Sequence, residues 1–208
     1  GLSMASAYIE SGLSENVLLV CSDTYTKYIL PNDRTNRPIF SDAASATLVS
    51  KSESKNIGYF SFGTDGAGFD KLIVKEGAAK SNFKLTGVQP SLYMNGAEVF
   101  MFTMGTIPDS VEEVLLKSSN TIDDIDYFVF HQASKIVLDN LRRKLKLPKE
   151  KFYLCLEEIG NTVSSSVPIA LKIASNSKVL SKGSKLLLSG FGVGLSWGSC
   201  ILEWDELL

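Results

Sequence analysis

His131 is the only histidine in the chain, and it follows the apolar run Tyr127 to Phe130, which reads as a strand leading into a helix. In open α/β sheets ligands bind in the crevice beyond such strand ends. A structural histidine, hydrogen-bonded at a strand end, fits the same position equally well. Asn161, behind Gly160, follows a second apolar run, and its carboxamide could donate into the same crevice. Gly-Asn is also ordinary turn chemistry. Gly190, Gly192, Gly194 and Gly198 form a bend between two strands, not a GxGxxG ahead of a helix, so a dinucleotide fingerprint is rejected. Glycines there still let backbone N–H groups approach an oxyanion closely.

Cys21, Cys155 and Cys200 lie far apart, have no CxxC spacing and sit beside apolar residues. They read as buried, reduced thiols of a cytoplasmic protein, and no metal site is expected. Arg142, Arg143, Lys144, Lys146 and Lys149 form a basic run with two readings, a solvated helix face or a docking surface for an acidic partner.

The elements that must position these groups alternate in an α/β pattern. Residues 2 to 11 carry helical periodicity, and Asn16 to Cys21 reads as a strand buried on both faces. Ala46 to Val49 and Ile57 to Phe62 are two further strands, with Gly63 to Gly68 a loop. Leu72 to Val74 reads as a strand edge, and Gly77 to Pro90 as polar surface chain. From Tyr93 to Lys117 helical periodicity returns; Pro108 is expected to end or bend one helix and Asp109 to cap the next. Ile136, Leu138, Leu141 and Leu145 mark an amphipathic helix ending at Pro148. Phe152 to Leu156 reads as a strand and Val163 to Ala174 as a helix with a serine-rich first turn. Lys185 to Ser189 and Leu195 to Glu203 read as an antiparallel hairpin.

With 208 residues, 44% of them hydrophobic, the chain can bury a substantial core. A net charge of −2 offers no basic field for nucleic acid or an anionic membrane. The longest uncharged stretch, Leu186 to Leu202, is broken by glycines and falls short of the roughly 20 apolar residues of a membrane span. Gly1-Leu2-Ser3-Met4 runs directly into helical periodicity without an initiator methionine, which reads as a chain beginning within a longer one.

The motifs HQAS at His131 to Ser134, GNTVSSSVP at Gly160 to Pro168 and GFGVGLSWGS at Gly190 to Ser199 occur in the order found in the beta-ketoacyl-acyl carrier protein synthase III family. SDTYTK at Ser22 to Lys27 and DRTNRPIFSDAAS at Asp33 to Ser45 are similar to its middle section. The resemblance spans nearly the whole chain. It implies a thiolase-like α/β fold of layered β-α-β halves with mixed sheets, residues 1–85 ending the N-terminal half and 86–208 forming the C-terminal half. It implies a Cys-His-Asn site and a decarboxylating Claisen condensation between an acyl-coenzyme A primer and malonyl-acyl carrier protein. His131 and Asn161 match the pair that binds the malonyl thioester oxygen. Phe191 matches an aromatic neighbour of the nucleophile and Val193 an oxyanion-hole N–H. Arg34, Gly96 and Ser134 match coenzyme A contacts, and Arg142, Arg143 and Lys144 lie where the carrier protein docks. A cytoplasmic homodimer is implied, with the coenzyme A thioester as substrate and no permanently bound cofactor.

Two departures stand out. The family's nucleophilic cysteine falls upstream of Gly1, on the turn into the opening helix, and none of the three cysteines matches it. Ser134 and Ala97 stand where asparagine is usual. Two other functions therefore accompany condensation: acyl transfer to an alcohol or amine without condensation, and a catalytically silent structural or dimer-forming piece.

Overall fold

The computed structural model describes residues 1–77, 87 and 89–205. Helix α1 (Leu2–Glu10) is followed by β1 (Asn16–Asp23), β2 (Ala43–Ser50), β3 (Ile57–Thr64), β4 (Leu72–Val74) and β5 (Leu92–Met94). Then come α2 (Gly96–Lys117), β6 (Tyr127–Phe130), α3 (Lys135–Lys144), the single-turn α4 (Leu156–Ile159), α5 (Ser166–Asn176), β7 (Lys185–Gly192) and β8 (Ser196–Glu203). The molecule is α/β, as the motif order implies.

The central sheet is mixed, in the order β3-β8-β7-β6, with β6 and β7 parallel and the other pairs antiparallel. Its middle strands alternate between two cores. Phe128, Phe130 and Leu187 face Ile107, Val111 and Val114 of α2 and Leu138 and Leu141 of α3. Val129, Leu186 and Leu188 face Ala170 and Ala174 of α5. Burial on both faces explains why YFVF and KLLLS carry no polar alternation. The hairpin of β7 and β8 forms in the expected place, in register from Lys185↔Glu203 to Gly192↔Ser196.

Within this chain strand β1 has one open face. It pairs only with β2, and one face of this ribbon, with Leu18, Val20 and Leu48, is exposed, while Leu19 on the other face meets α1 at Gly1. A run of apolar residues reports strand formation but not how many faces are covered. The neighbouring strands then part company: β2 stays with β1, whereas β3 joins β8 in the central sheet.

Helix α2 is continuous through Pro108, and its cap is Asn95, whose Oδ1 accepts from the Glu98 N–H. Asp109 is exposed within the helix. Proline costs about 3 kcal/mol in a helix interior. Ile107, Val111, Val114 and Leu115 are all buried around it, and at about 1.5–3 kcal/mol each their burial outweighs that cost.

Phe152 to Leu156 is not a strand. One parallel bridge, Phe128↔Phe152, begins the pairing, and the side chain of Gln132 then takes over, its Oε1 accepting from the Cys155 N–H at 3.0 Å. The helix after HQAS ends at Lys144, short of Pro148, and its Ile136 is 71% exposed, so only Leu138 and Leu141 anchor it fully. Leu72 to Val74 is a strand, paired with β5. Most of the expected polar chain from Gly77 to Pro90 lies outside the described residues.

Candidate active site

Parallel pairing of β6 with β7 carries His131 to the end of the sheet, where its backbone N–H donates to Ser189 O at 2.8 Å. The imidazole Nδ1 lies 2.6 Å from the Oγ of Ser166, the first residue of α5. Its other flank meets Phe191 edge-on, with ring centroids 5.4 Å apart. Burial pushes the imidazole pKa down to about 4, so the ring is neutral at physiological pH. Among the described residues Nε2 has no hydrogen-bond partner.

Asn161 is brought beside this group by two backbone clamps. Its N–H donates to Ile39 O at 2.9 Å and its C=O accepts from the Ser41 N–H at 2.9 Å, forming a bridge with the Phe40 segment. Its side chain is fixed too: Nδ2 donates to Ala133 O at 3.2 Å and Oδ1 accepts from the Val163 N–H at 2.9 Å. A carboxamide nitrogen has two N–H groups, so one remains for a ligand.

The backbone on either side of Asn161 has a positive φ. Gly160 has φ +65°, and a Cβ there would come within 3.1 Å of Ser41 Oγ and 3.3 Å of Ile39 O. Val163 has φ +55°, rare for a β-branched residue. Glycine takes up its conformation freely, whereas that of Val163 costs about 1–3 kcal/mol and persists where the surroundings over-determine it. Here Ser164 donates from its N–H to Asp23 Oδ2 at 3.1 Å and from its hydroxyl to the same oxygen, while Ser165 Oγ donates to Cys21 O at 3.1 Å. The GNTVSSSVP loop is thereby riveted to the end of β1.

The arrangement suits stabilisation of an enolate: a neutral imidazole and a carboxamide N–H, both held rigidly at the mouth of the sheet. Residues 1–66 match the family described as 3-oxoacyl-[acyl-carrier-protein] synthase III, and residues 115–204 match that family's C-terminal domain. The chain belongs to the 3-oxoacyl-[acyl-carrier-protein] synthase III family. The beta-ketoacyl-[acyl-carrier-protein] synthase III of Clostridium novyi is 38% identical over 98% of the chain. A crystal structure of a 3-oxoacyl-(acyl-carrier-protein) synthase III superposes with a TM-score of 0.93 at 40% identity, covering 98% of this chain and 64% of that one. The priming beta-ketosynthase of the R1128 polyketide biosynthetic pathway gives 0.92 at 31% identity, covering 99% and 62%. The chain spans 64% of the length of the Clostridium novyi synthase. The thiolase-like fold is shared with these synthases.

The other residues singled out in the sequence fall in several places. Arg34 is exposed on a turn held by Asp33, whose carboxylate accepts from the Thr35 and Asn36 N–H groups. Asn36 Nδ2 donates to Leu92 O at 3.4 Å, tying that turn to β5, just ahead of exposed Gly96. Ser134 caps α3, its Oγ accepting from the Val137 N–H at 3.3 Å. Val193 lies across the bend, lining a cleft of about 310 Å³ with Asp23, Tyr25, Leu72, Val74 and Leu92. Arg142 turns back to its own helix end, Nη1 donating to Leu147 O at 3.1 Å, while Arg143 and Lys144 are exposed. Sequence reasoning missed Ser166, Asp23 and Ser41. The serine-rich start of α5 was the one visible signal for the first; the other two act across more than a hundred residues of chain.

Proposed function

We propose that this chain supplies the enolate-forming part of a decarboxylating condensing enzyme, which joins an acyl-coenzyme A primer to malonyl-acyl carrier protein to give 3-oxoacyl-acyl carrier protein. Paired donors at His131 and Asn161 carry this reading. As the malonyl carboxylate leaves as carbon dioxide, negative charge develops on the thioester oxygen, and Nε2–H and Nδ2–H stabilise it. The carbanion then attacks the primer's acyl carbon. Phe191 fixes the imidazole, and the Val193 N–H serves the oxyanion hole. Arg34, Gly96 and Ser134 contact coenzyme A, and Arg143 and Lys144 receive the acidic carrier protein, with Arg142 steadying their helix.

Acylation needs a thiolate, and the chain's own thiols suit it poorly. Burial raises Cys155 to about 11 and Cys200 to about 12, so both stay protonated. Cys21 lies within β1, and its carbonyl accepts from Ser165 Oγ. In this scheme the nucleophile belongs to a segment outside this chain. Coenzyme A is a substrate, and no resident cofactor takes part. Three unpaired cysteines support a reducing, cytoplasmic setting, and no described helix is long and apolar enough to cross a membrane. A homodimer belongs to the same proposal. So does the division at residue 85, which the separate β1–β2 ribbon supports and which β3 crosses.

Decarboxylation needs the oxygen-binding pair but not the acyl-accepting thiol. In the complete protein that carries this chain, carbon dioxide release from malonyl-acyl carrier protein should therefore fall by about 100-fold or more in His131→Ala and Asn161→Asp, in line with loss of one oxyanion donor. Retained release in both variants would overturn the reading.

A further inference from the structure

Ser166 is fully buried, and its hydroxyl meets two nitrogen groups: Nδ1 of His131 at 2.6 Å and the backbone N–H of Gln132 at 3.3 Å. The Gln132 N–H can only donate, so Oγ accepts from it. A hydroxyl has one proton to give. Were Nδ1 also protonated, Oγ would accept twice, and its own proton would point at no acceptor among the described residues, in a place closed to water. A buried donor left without a partner loses its bond to water and gains none in return. That is enough to decide between two tautomers of a neutral imidazole, which differ by less in water.

We propose that Ser166 is a positioning residue: its O–H donates to His131 Nδ1 and so holds the imidazole as the Nε2–H tautomer, with that N–H aimed out of the protein core toward the thioester oxygen. The inference rests on the condensing reading for its purpose, but not for its observation. With the wrong tautomer, Nε2 would present a lone pair to a developing negative charge and repel it. The Gln132 N–H contributes by fixing Oγ, and Gln132 itself cannot swing away. Its Nε2 donates to Phe130 O at 2.7 Å and its Oε1 accepts from the Cys155 N–H. The three consecutive backbone positions Phe130, His131 and Gln132 thus act with the first turn of α5 as one rigid unit.

Because the chain contains a single histidine, ¹⁵N labelling of histidine gives one pair of ring-nitrogen signals, which long-range proton correlations assign at pH 7 without substrate. The expected result is a protonated Nε2 and a bare, hydrogen-bonded Nδ1. In Ser166→Ala the Nδ1–H form should rise several-fold, and Ser166→Thr, which keeps the hydroxyl, should restore the original pattern. A proton on Nδ1 in the unaltered chain overturns the inference, whether or not either variant folds. So does an unchanged tautomer ratio in folded Ser166→Ala. Failure of the condensing reading shows separately, as carbon dioxide release that ignores His131→Ala while the tautomer stays as described.

Discussion

The imidazole of His131 and the ring of Phe191 meet edge to face, with planes at 79° and centroids 5.4 Å apart. This contact arises because His131 follows the last residue of β6 while Phe191 lies beyond the last position at which β7 pairs with it, one strand away. Phe191→Ala should open the imidazole to water. Its pKa should climb from about 4 back toward 6.5, read from the histidine ring protons in an NMR titration.

Stability should depend on pH through the same ring. The folded pKa lies below the unfolded one, so the unfolded chain takes up the proton first as pH falls. The stabilisation is fully present above 6.5, declines from there and is lost as the pH falls through about 4. The total loss is at most about 3 kcal/mol, since a tenfold change in proton affinity is worth about 1.4 kcal/mol. Urea melts from about pH 8 to pH 4 should show this decline, with a shallower slope in His131→Gln.

Gly160→Ala tests the clamp on Asn161. An added Cβ would press on Ser41 Oγ and Ile39 O at a φ of +65°. We expect a loss of about 2 kcal/mol or more, with decarboxylation falling further than the stability loss explains, because Asn161 is displaced with its neighbour. Retained stability and activity together would argue against the clamp.

Between the central sheet and α2, Ser61, Ser110, Ser199 and Ser189 form a chain of buried hydroxyls, with steps of 3.2, 2.9 and 3.1 Å, and Ser61 at its other end donates to the carboxylate of Glu113 at 2.5 Å. Ser110 is the middle link. Ser110→Ala leaves the hydroxyls of Ser61 and Ser199 each short of a partner and should cost about 1–3 kcal/mol. Denaturant midpoints at constant m-value measure it.

On α3, exposed Ile136 stands two turns before Arg143, on the same face. Charge reversal at Arg143 and Lys144 should weaken binding of malonyl-acyl carrier protein several-fold and flatten its salt dependence, leaving free malonyl thioesters unaffected. Ile136→Asp should add to the loss by placing a like charge before an acidic partner. Unchanged affinity in calorimetry would exclude docking at this helix.

Much of this was legible in the chain itself. The double burial of Tyr127 to Phe130, the hairpin of β7 and β8, and the positions of His131, Asn161 and the glycine bend follow from local patterns, because apolar runs and turn residues act over a few neighbours. Where coverage by distant elements decided the outcome, local pattern was insufficient. Phe152 begins a bridge that Gln132 ends, and α2 continues through Pro108 because its neighbours are buried.

The sequence by itself determined that one imidazole stands at a strand end and one carboxamide in a Gly-Asn turn, in motifs whose order marks the synthase III family. Only the tertiary structure decided that both are rigid and that the imidazole is neutral. Ser166 at 2.6 Å, Phe191 against the ring, the Ile39 to Ser41 clamp and the Asp23 anchor all reach His131 or Asn161 from remote parts of the chain. Burial and hydrogen-bond geometry, which fix the protonation state and aim of these groups, depend on which distant segments meet, and no spacing along the chain encodes that.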